Sequence, residues 1–207
     1  MTKDINIAEY NHLLNFINRE LRAKGLKATT MDSIASSYKI SKRTLYEIFK
    51  NKDEMIEEAI ALWHRETALK YTDIFSSSSN IMEAVLKCFL LNRDIVGKTS
   101  VEFFRDFHEF AKKRMEISGK KRTHFYEYLT EILKKGVEEG YFRQDIVIPV
   151  QCQLITIQME SLRRMEELFP ENMSIVDVFD SIIITFLRGI STPKGIETLD
   201  LLLKDIA

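Results

Sequence analysis

Three consecutive side chains, Lys42, Arg43 and Thr44, have the chemistry to read the edges of DNA bases. Arginine and lysine donate to guanine O6 and N7, and a threonine methyl group can contact the methyl group of thymine. All three follow Ser41, a residue type that often caps a helix, so we place them in a first helical turn. Helix-turn-helix proteins contact bases with that turn. The alternative is an ordinary solvated helix surface, on which two adjacent basic residues are common.

Two short amphipathic helices joined by a tight turn would position these side chains. The first helix begins after Thr29 and Thr30, either of which can cap it. The turn comprises residues 38–40, and the second helix follows Ser41. The apolar residues of both helices recur at helical spacing and are predicted to face inward; they are Met31, Ile34, Ala35, Leu45, Ile48 and Phe49.

Further polar residues flank the predicted reading helix and are placed to contact phosphates. Tyr46 and Lys52 lie on one side, and Thr29 and Thr30 lie on the other. Such contacts orient a protein on DNA without reading its sequence. The predicted DNA-binding residues are therefore Thr29, Thr30, Ser41, Lys42, Arg43, Thr44, Tyr46 and Lys52.

The distribution of charge agrees with an interface confined to the start of the chain. The formal net charge of the 207 residues is −1. Residues 1–52 carry ten Lys and Arg against five Asp and Glu, whereas residues 53–207 carry 20 against 26. A basic segment joined to an acidic one is expected when only the first meets phosphate.

The composition predicts an all-α protein. Seven Gly and three Pro are few for this length, and 45% of the residues are hydrophobic, enough for a sizeable core. We expect about nine helices, with residues 1–52 as a helix-turn-helix domain and residues 53–207 as a larger helical domain for effector binding and dimerisation. Cys88 and Cys152 are expected to be reduced, buried thiols. No signal peptide or membrane span is evident, which predicts a cytoplasmic protein.

The last long helix, residues 174–189, is apolar on nearly all sides. A helix that is apolar all round must be buried all round, and the chain is short for covering it alone. We therefore expect a homodimer in which this helix and the preceding one meet their copies across a two-fold axis. The alternative is a central helix of a monomer. The predicted interface residues are Leu162, Phe179, Ile183 and Phe186.

Aromatic residues between positions 103 and 128 could line a ligand cavity, with a few polar groups to orient the ligand. Ordinary core packing is the alternative for each of them. The candidates are Phe103, Phe107, His108, Phe125, Tyr128 and Gln158.

Signatures of catalysis are missing from the sequence. It has no GxSxG, P-loop or GxGxxG motif. Glu-x-x-His occurs once, at Glu9–His12, whereas a four-helix metal site needs two copies with further glutamates. We predict a protein that is not an enzyme and that has no metal site and no cofactor.

The stretch TTMDSIA…ISKRTLYEIFKNKDEM resembles the N-terminal domain of the TetR family of transcriptional regulators. That family has a T-T-hydrophobic-x-x-I-A start and a V/I-S-x-x-T-L/F-Y-x-Y/H-F-x-x-K run. The matching residues are Thr29, Thr30, Ile34, Ala35, Ile40, Ser41, Thr44, Leu45, Tyr46, Phe49 and Lys52. The resemblance implies a homodimeric repressor that binds a palindromic operator in double-stranded DNA and is released by a small apolar or amphipathic effector.

One departure from the family pattern lies in the turn, where Tyr38-Lys39 replaces the usual Ala-Gly. A lysine in the left-handed conformation costs roughly 1 kcal/mol more than a glycine. A helical protein-interaction dimer whose N-terminal domain does not read DNA is the alternative function.

Overall fold

The computed structural model describes residues 6–118, 123–170 and 172–204, without the side chains of residues 114–118 and 123–125. Within these ranges the regular secondary structure is helical, apart from an isolated bridge between Phe142 and Ser191. This confirms the predicted all-α class. The α-helices are α1 (Ile7–Lys24), α2 (Met31–Tyr38), α3 (Lys42–Ile48), α4 (Lys52–Ser77), α5 (Ile81–Gly97), α6 (Val101–Ser118), α7 (Thr123–Glu138), α8 (Ile148–Ser161), α9 (Met165–Leu168), α10 (Ile175–Ile190) and α11 (Pro193–Lys204).

The chain divides into two compact units. The first contains the described residues up to Lys70 together with Lys98–Phe110, and the second contains Tyr71–Gly97 and the described residues from Ala111 onward. The sequence places a boundary after residue 52, where α4 begins. Because α4 continues without a break to Ser77, the first structural unit is larger than the predicted DNA-binding domain. The functional division at residue 52 stays a prediction.

The core of the first unit lies between α1, the helix-turn-helix and the start of α4. Leu14, Ile17 and Leu21 of α1 are fully buried, as are Leu45 and Phe49 of the helix-turn-helix. Their spacing follows the helical period, so each helix turns one apolar face to the same cluster. This core fixes the orientation of α2 and α3.

The second unit is built from α5, α7, α8, α10 and α11, which pack against one another. The rings of Phe89 and Phe179 stack, with centroids 5.7 Å apart and planes 3° apart. At Gly136 an added Cβ would lie 2.0 Å from the buried ring of Phe142, so only a glycine allows this close approach. No helix in the described ranges is both long and apolar enough to cross a membrane.

The helical segment between Ile148 and Leu168 is interrupted. α8 ends at Ser161, a 3-10 turn covers Leu162–Arg164, and α9 follows. Leu162 and Met165 are both buried, so the tighter turn redirects the chain while keeping its apolar residues inside. No glycine or proline lies between Ser161 and Met165, so no local signal marks this break.

Candidate nucleic-acid interface

Thr30, and not Thr29, caps α2. The Thr30 hydroxyl accepts a hydrogen bond from the Ser33 backbone N–H at 3.0 Å, and Ser33 Oγ accepts one from the Thr30 N–H at 2.9 Å. This reciprocal pair is a capping box. Thr29 is 1% exposed, and its hydroxyl donates to the Gly25 carbonyl at 2.8 Å. The predicted phosphate contact through the Thr29 side chain is therefore corrected, because that side chain holds the α1–α2 turn.

The turn between α2 and α3 keeps a left-handed residue although it lacks glycine. Lys39 has φ 61° and ψ 41°. Its N–H donates to the Ser36 carbonyl at 3.2 Å, and the Ile40 N–H donates to the Ala35 carbonyl at 3.0 Å. These two bonds form a Schellman motif, which normally ends in glycine. The turn thus keeps its hydrogen bonds with a lysine in a strained conformation.

Tyr38, the residue before the strained one, is tied to α1. Its hydroxyl lies 2.8 Å from His12 Nδ1, and its ring lies 5.0 Å from the ring of Phe16. Both contacts fix the end of α2 immediately before the turn. His12 is therefore hydrogen-bonded to Tyr38.

α3 separates its core face from its exposed face. Ser41 caps the helix by accepting from the Thr44 N–H at 3.0 Å, as predicted. Leu45 is fully buried and Phe49, at the helix end, packs beside Tyr10 with ring centroids 6.0 Å apart. Ser41, Lys42, Arg43 and Tyr46 are exposed on the other side, and Thr44 is half-buried. The predicted base-reading residues therefore share one accessible turn.

Both basic residues of that turn are paired with carboxylates. Lys42 Nζ lies 2.5 Å from Asp32 Oδ2 of α2, and Arg43 Nε lies 2.9 Å from Glu47 Oε1, one turn further along α3. The Arg43 side chain is 86% exposed. Sequence reasoning missed both pairs, although the four-residue spacing of Arg43 and Glu47 is a signal for the second.

Lys52 is bonded to the α1–α2 turn, since its ammonium donates to the Lys27 carbonyl at 3.1 Å. Burial lowers the pKa of Lys52, and the carboxylates of Asp106 and Asp53 oppose this shift. The residue is half-buried and still reaches the surface beside the helix-turn-helix. Lys52 therefore braces the α1–α2 turn.

Asp106 of α6 anchors the same turn and was not singled out from the sequence. Its side chain is 3% exposed, and Oδ2 accepts from the Lys27 N–H at 2.8 Å. Among the described residues Oδ1 has no hydrogen-bond partner, although the Lys27 ammonium lies 3.8 Å away. The Lys27 ammonium lies 2.8 Å from Glu109, and this hydrogen bond raises the pKa of Lys27. α6 thus helps to hold the turn that precedes α2.

The predicted ligand residues fall in different units. Phe103 is a buried core residue of the first unit, where its ring stacks on Phe107 with centroids 5.6 Å apart, and His108 is half-buried in the same unit. Tyr128 and Gln158 belong to the second unit, where Gln158 is exposed. The side chain of Phe125 lies outside the described residues.

Tyr128 belongs to a group of aromatic and polar side chains in the second unit. Its ring centroid lies 6.2 Å from that of Tyr71 and 5.5 Å from that of Phe75. The Tyr71 hydroxyl donates to Asn92 Oδ1 at 2.8 Å. Burial raises the pKa of both tyrosines and raises the pKa of Cys88 to about 11. The neutral forms of these groups combine apolar surface with hydrogen-bonding atoms.

Two of the four predicted dimer-interface residues lie in the interior. Leu162 and Phe179 are each 2% exposed, so they have no surface to offer a second subunit, which corrects that prediction. Ile183 and Phe186 of α10 are half-buried. Three exposed apolar side chains lie on α8, where Val150, Leu154 and Ile157 are 50%, 47% and 53% exposed.

Comparison with known proteins gives a consistent result. The family model for bacterial regulatory proteins of the tetR family matches residues 13–59. The HTH-type transcriptional repressor KstR2 of Rhodococcus jostii is 30% identical over 137 residues, which cover 64% of this chain and 67% of the relative.

Solved structures share the fold over most of the chain. The ketosteroid transcriptional regulator KstR2 of Mycobacterium tuberculosis aligns with a TM-score of 0.61 and 20% identity, covering 93% of this chain and 100% of that one. The transcriptional regulator FadR of Bacillus subtilis, solved in complex with stearoyl-CoA, aligns with a TM-score of 0.57 and 17% identity, covering 87% and 99%. These relatives are regulators and not enzymes. The chain belongs to the TetR family of DNA-binding transcriptional regulators.

Proposed function

We propose that this regulator is a homodimeric repressor that reads a palindromic operator with α3 and is released by a small apolar or amphipathic ligand. The observation that carries the proposal is the division of α3. Leu45 and the following Phe49 anchor it in the core, while Lys42 and Arg43 stand exposed on its first turn. A helix held in this way can enter the major groove and bring its first turn to the base edges.

In the proposed complex, Lys42, Arg43 and Thr44 contact bases. The Thr44 hydroxyl lies 2.7 Å from Ser41 Oγ, which leaves its methyl group as the part suited to a thymine. The phosphates are contacted by four residues around α2 and α3, whose role is to fix the register on the duplex. These residues are Thr30, Ser41, Tyr46 and Lys52.

A two-fold dimer through α8 and α10 would supply the second reading helix. The two helices pack together in the second unit. Val150, Leu154 and Ile157 recur at intervals of four and three residues, so they form one exposed apolar stripe on α8. The half-buried Ile183 and Phe186 of α10 would extend that surface. An isologous interface of this kind repeats each contact and matches the symmetry of a palindrome.

The group around Tyr128 supports an effector site in the second unit. Tyr71, Asn92 and the neutral thiol of Cys88 offer hydrogen-bonding atoms beside the rings of Phe75 and Tyr128. This combination suits a ligand with apolar and polar parts. The structure of FadR in complex with stearoyl-CoA shows that a protein of this fold accommodates an amphipathic molecule. Since a repressor acts on chromosomal DNA, we place the protein in the cytoplasm.

The test is binding of the purified protein to DNA from upstream of its own gene, measured at increasing salt. We expect saturable binding whose log affinity falls linearly with log salt, with a slope of about −0.9 per neutralised phosphate. Unrelated DNA of equal length is the control and should bind more weakly at every salt concentration. Absent or salt-insensitive binding would favour a helical interaction dimer that does not read DNA.

A further inference from the structure

We propose that Glu47 is a positioning and specificity residue of the DNA interface, which presents the Arg43 guanidinium to a guanine and restrains it from pairing with phosphates. This inference rests on the proposed reading role of α3. It starts from the hydrogen bond between Arg43 Nε and Glu47 Oε1 at 2.9 Å.

The nitrogen of Arg43 that bonds Glu47 determines which of its N–H groups can still bind DNA. Glu47 engages Nε, so the terminal nitrogens Nη1 and Nη2 of the 86% exposed Arg43 side chain stay available to acceptors. Two parallel N–H groups match guanine O6 and N7. Because the carboxylate belongs to the same helix one turn away, it limits the directions that the guanidinium can take. Reading guanine therefore does not require the pair to break.

The charge of Glu47 acts differently on the two kinds of DNA complex. In a non-specific complex basic side chains turn to phosphates, and a carboxylate beside Arg43 opposes this by repulsion and by competing for the guanidinium. On the operator the same carboxylate supports the geometry that the base contact needs. Glu47 thus weakens non-specific binding and preserves operator binding.

Stability of the fold does not explain the pair. Both side chains are exposed, with Glu47 at 38%, and exposed ion pairs contribute little to the stability of a folded protein. Lys42 and Asp32 provide an internal comparison, since their pair is also exposed but joins α2 to α3 and involves no guanidinium. Removing Asp32 removes one carboxylate from the same surface and leaves Arg43 and Glu47 intact.

The test compares Glu47→Gln with Asp32→Asn in binding to the operator, to operators changed at each position, and to unrelated DNA. We expect Glu47→Gln to bind unrelated DNA about fivefold more tightly, as expected for loss of one nearby repulsive charge. It should also lose roughly tenfold in discrimination at one guanine per half-site. Asp32→Asn should show the first effect without the second, and thermal unfolding should report that both variants stay folded.

Two outcomes would overturn the inference. The first is that Glu47→Gln leaves discrimination unchanged at every operator position. The second is that Glu47→Gln causes the same loss of discrimination in the Arg43→Ala protein as in the unaltered one, because Glu47 would then not act through Arg43. Failure of the proposed function is a separate result: the unaltered protein would show no salt-dependent preference for its operator.

Discussion

The exposed faces of α3 and α8 have opposite chemistry. α3 shows Lys42 and Arg43, each paired with a carboxylate, whereas α8 shows Val150, Leu154 and Ile157, which are half-exposed and apolar. A charged surface whose ions are already paired loses little by remaining in water, while an apolar stripe gains free energy when it is covered. The difference agrees with the proposal of a permanent partner for α8 and a reversible one for α3.

The largest effect is expected from placing a charge on the apolar stripe. Leu154→Glu should separate the proposed dimer, because a carboxylate in an apolar interface has no partner. Loss of the second reading helix should then lower operator affinity by roughly a hundredfold to ten-thousandfold, as expected when two linked contacts become one. Sedimentation and DNA binding measure the two effects.

Leu201→Glu is the matched control for that experiment, since Leu201 is also an exposed leucine, at 57%, but lies on α11. It should leave both the dimer and the affinity unchanged. A folded, unaltered dimer in Leu154→Glu would mean that α8 faces no second subunit.

On the charged face, Arg43→Ala should cost about 1–3 kcal/mol of operator binding and relax selectivity at one base position per half-site. The physical reason is the loss of a bidentate donor to a guanine. Competition binding against operators changed one position at a time measures it. An equal loss on every sequence would show that Arg43 contacts the backbone and not a base.

Lys52→Ala should have a smaller and uniform effect. It removes one phosphate contact, so affinity should fall on all sequences and the salt slope should decrease in magnitude by about 0.9. A salt titration on operator and unrelated DNA measures both quantities. A change in sequence preference would argue that the Lys52–Lys27 hydrogen bond matters more than the phosphate contact.

The smallest effect concerns the turn before α3. Lys39→Gly should raise the free energy of unfolding by up to about 1 kcal/mol, because glycine adopts the left-handed conformation without strain. Ser37→Gly, inside α2, should lower it by a similar amount, since glycine is unfavourable within a helix. Urea denaturation measures both. Destabilisation by Lys39→Gly would show that the lysine side chain stabilises the turn.

The sequence predicts the charged face better than the apolar one because local signals decide the former. The Ser41 cap, the spacing of Leu45 and Phe49 and the basic first turn all lie within ten residues and agree with the structure. The choice of Thr30 over Thr29 as the cap depends on burial of Thr29, which no local pattern reveals.

For the proposed dimer interface, helical spacing identifies apolar residues, but it does not show whether the same chain or a second subunit covers them. Leu162 and Phe179 look like Leu154 and Ile157 in the sequence, yet the first two are buried within the chain and the others are exposed. Asp106 is harder still to find, because its partner Lys27 lies 79 residues away. Contacts that depend on tertiary packing leave no periodic or local trace.

The approach of α6 to the α1–α2 turn has a consequence for building chimeric regulators. At Gly25, φ is +85°, and an added Cβ would lie 3.0 Å from both Asp106 Oδ2 and Glu102 Cβ. The turn and α6 are therefore shaped to each other within one compact unit. A graft that exchanges residues 1–52 alone would cut through this fit, whereas a graft that also carries residues 98–110 would transfer the reading head with the surface that supports it.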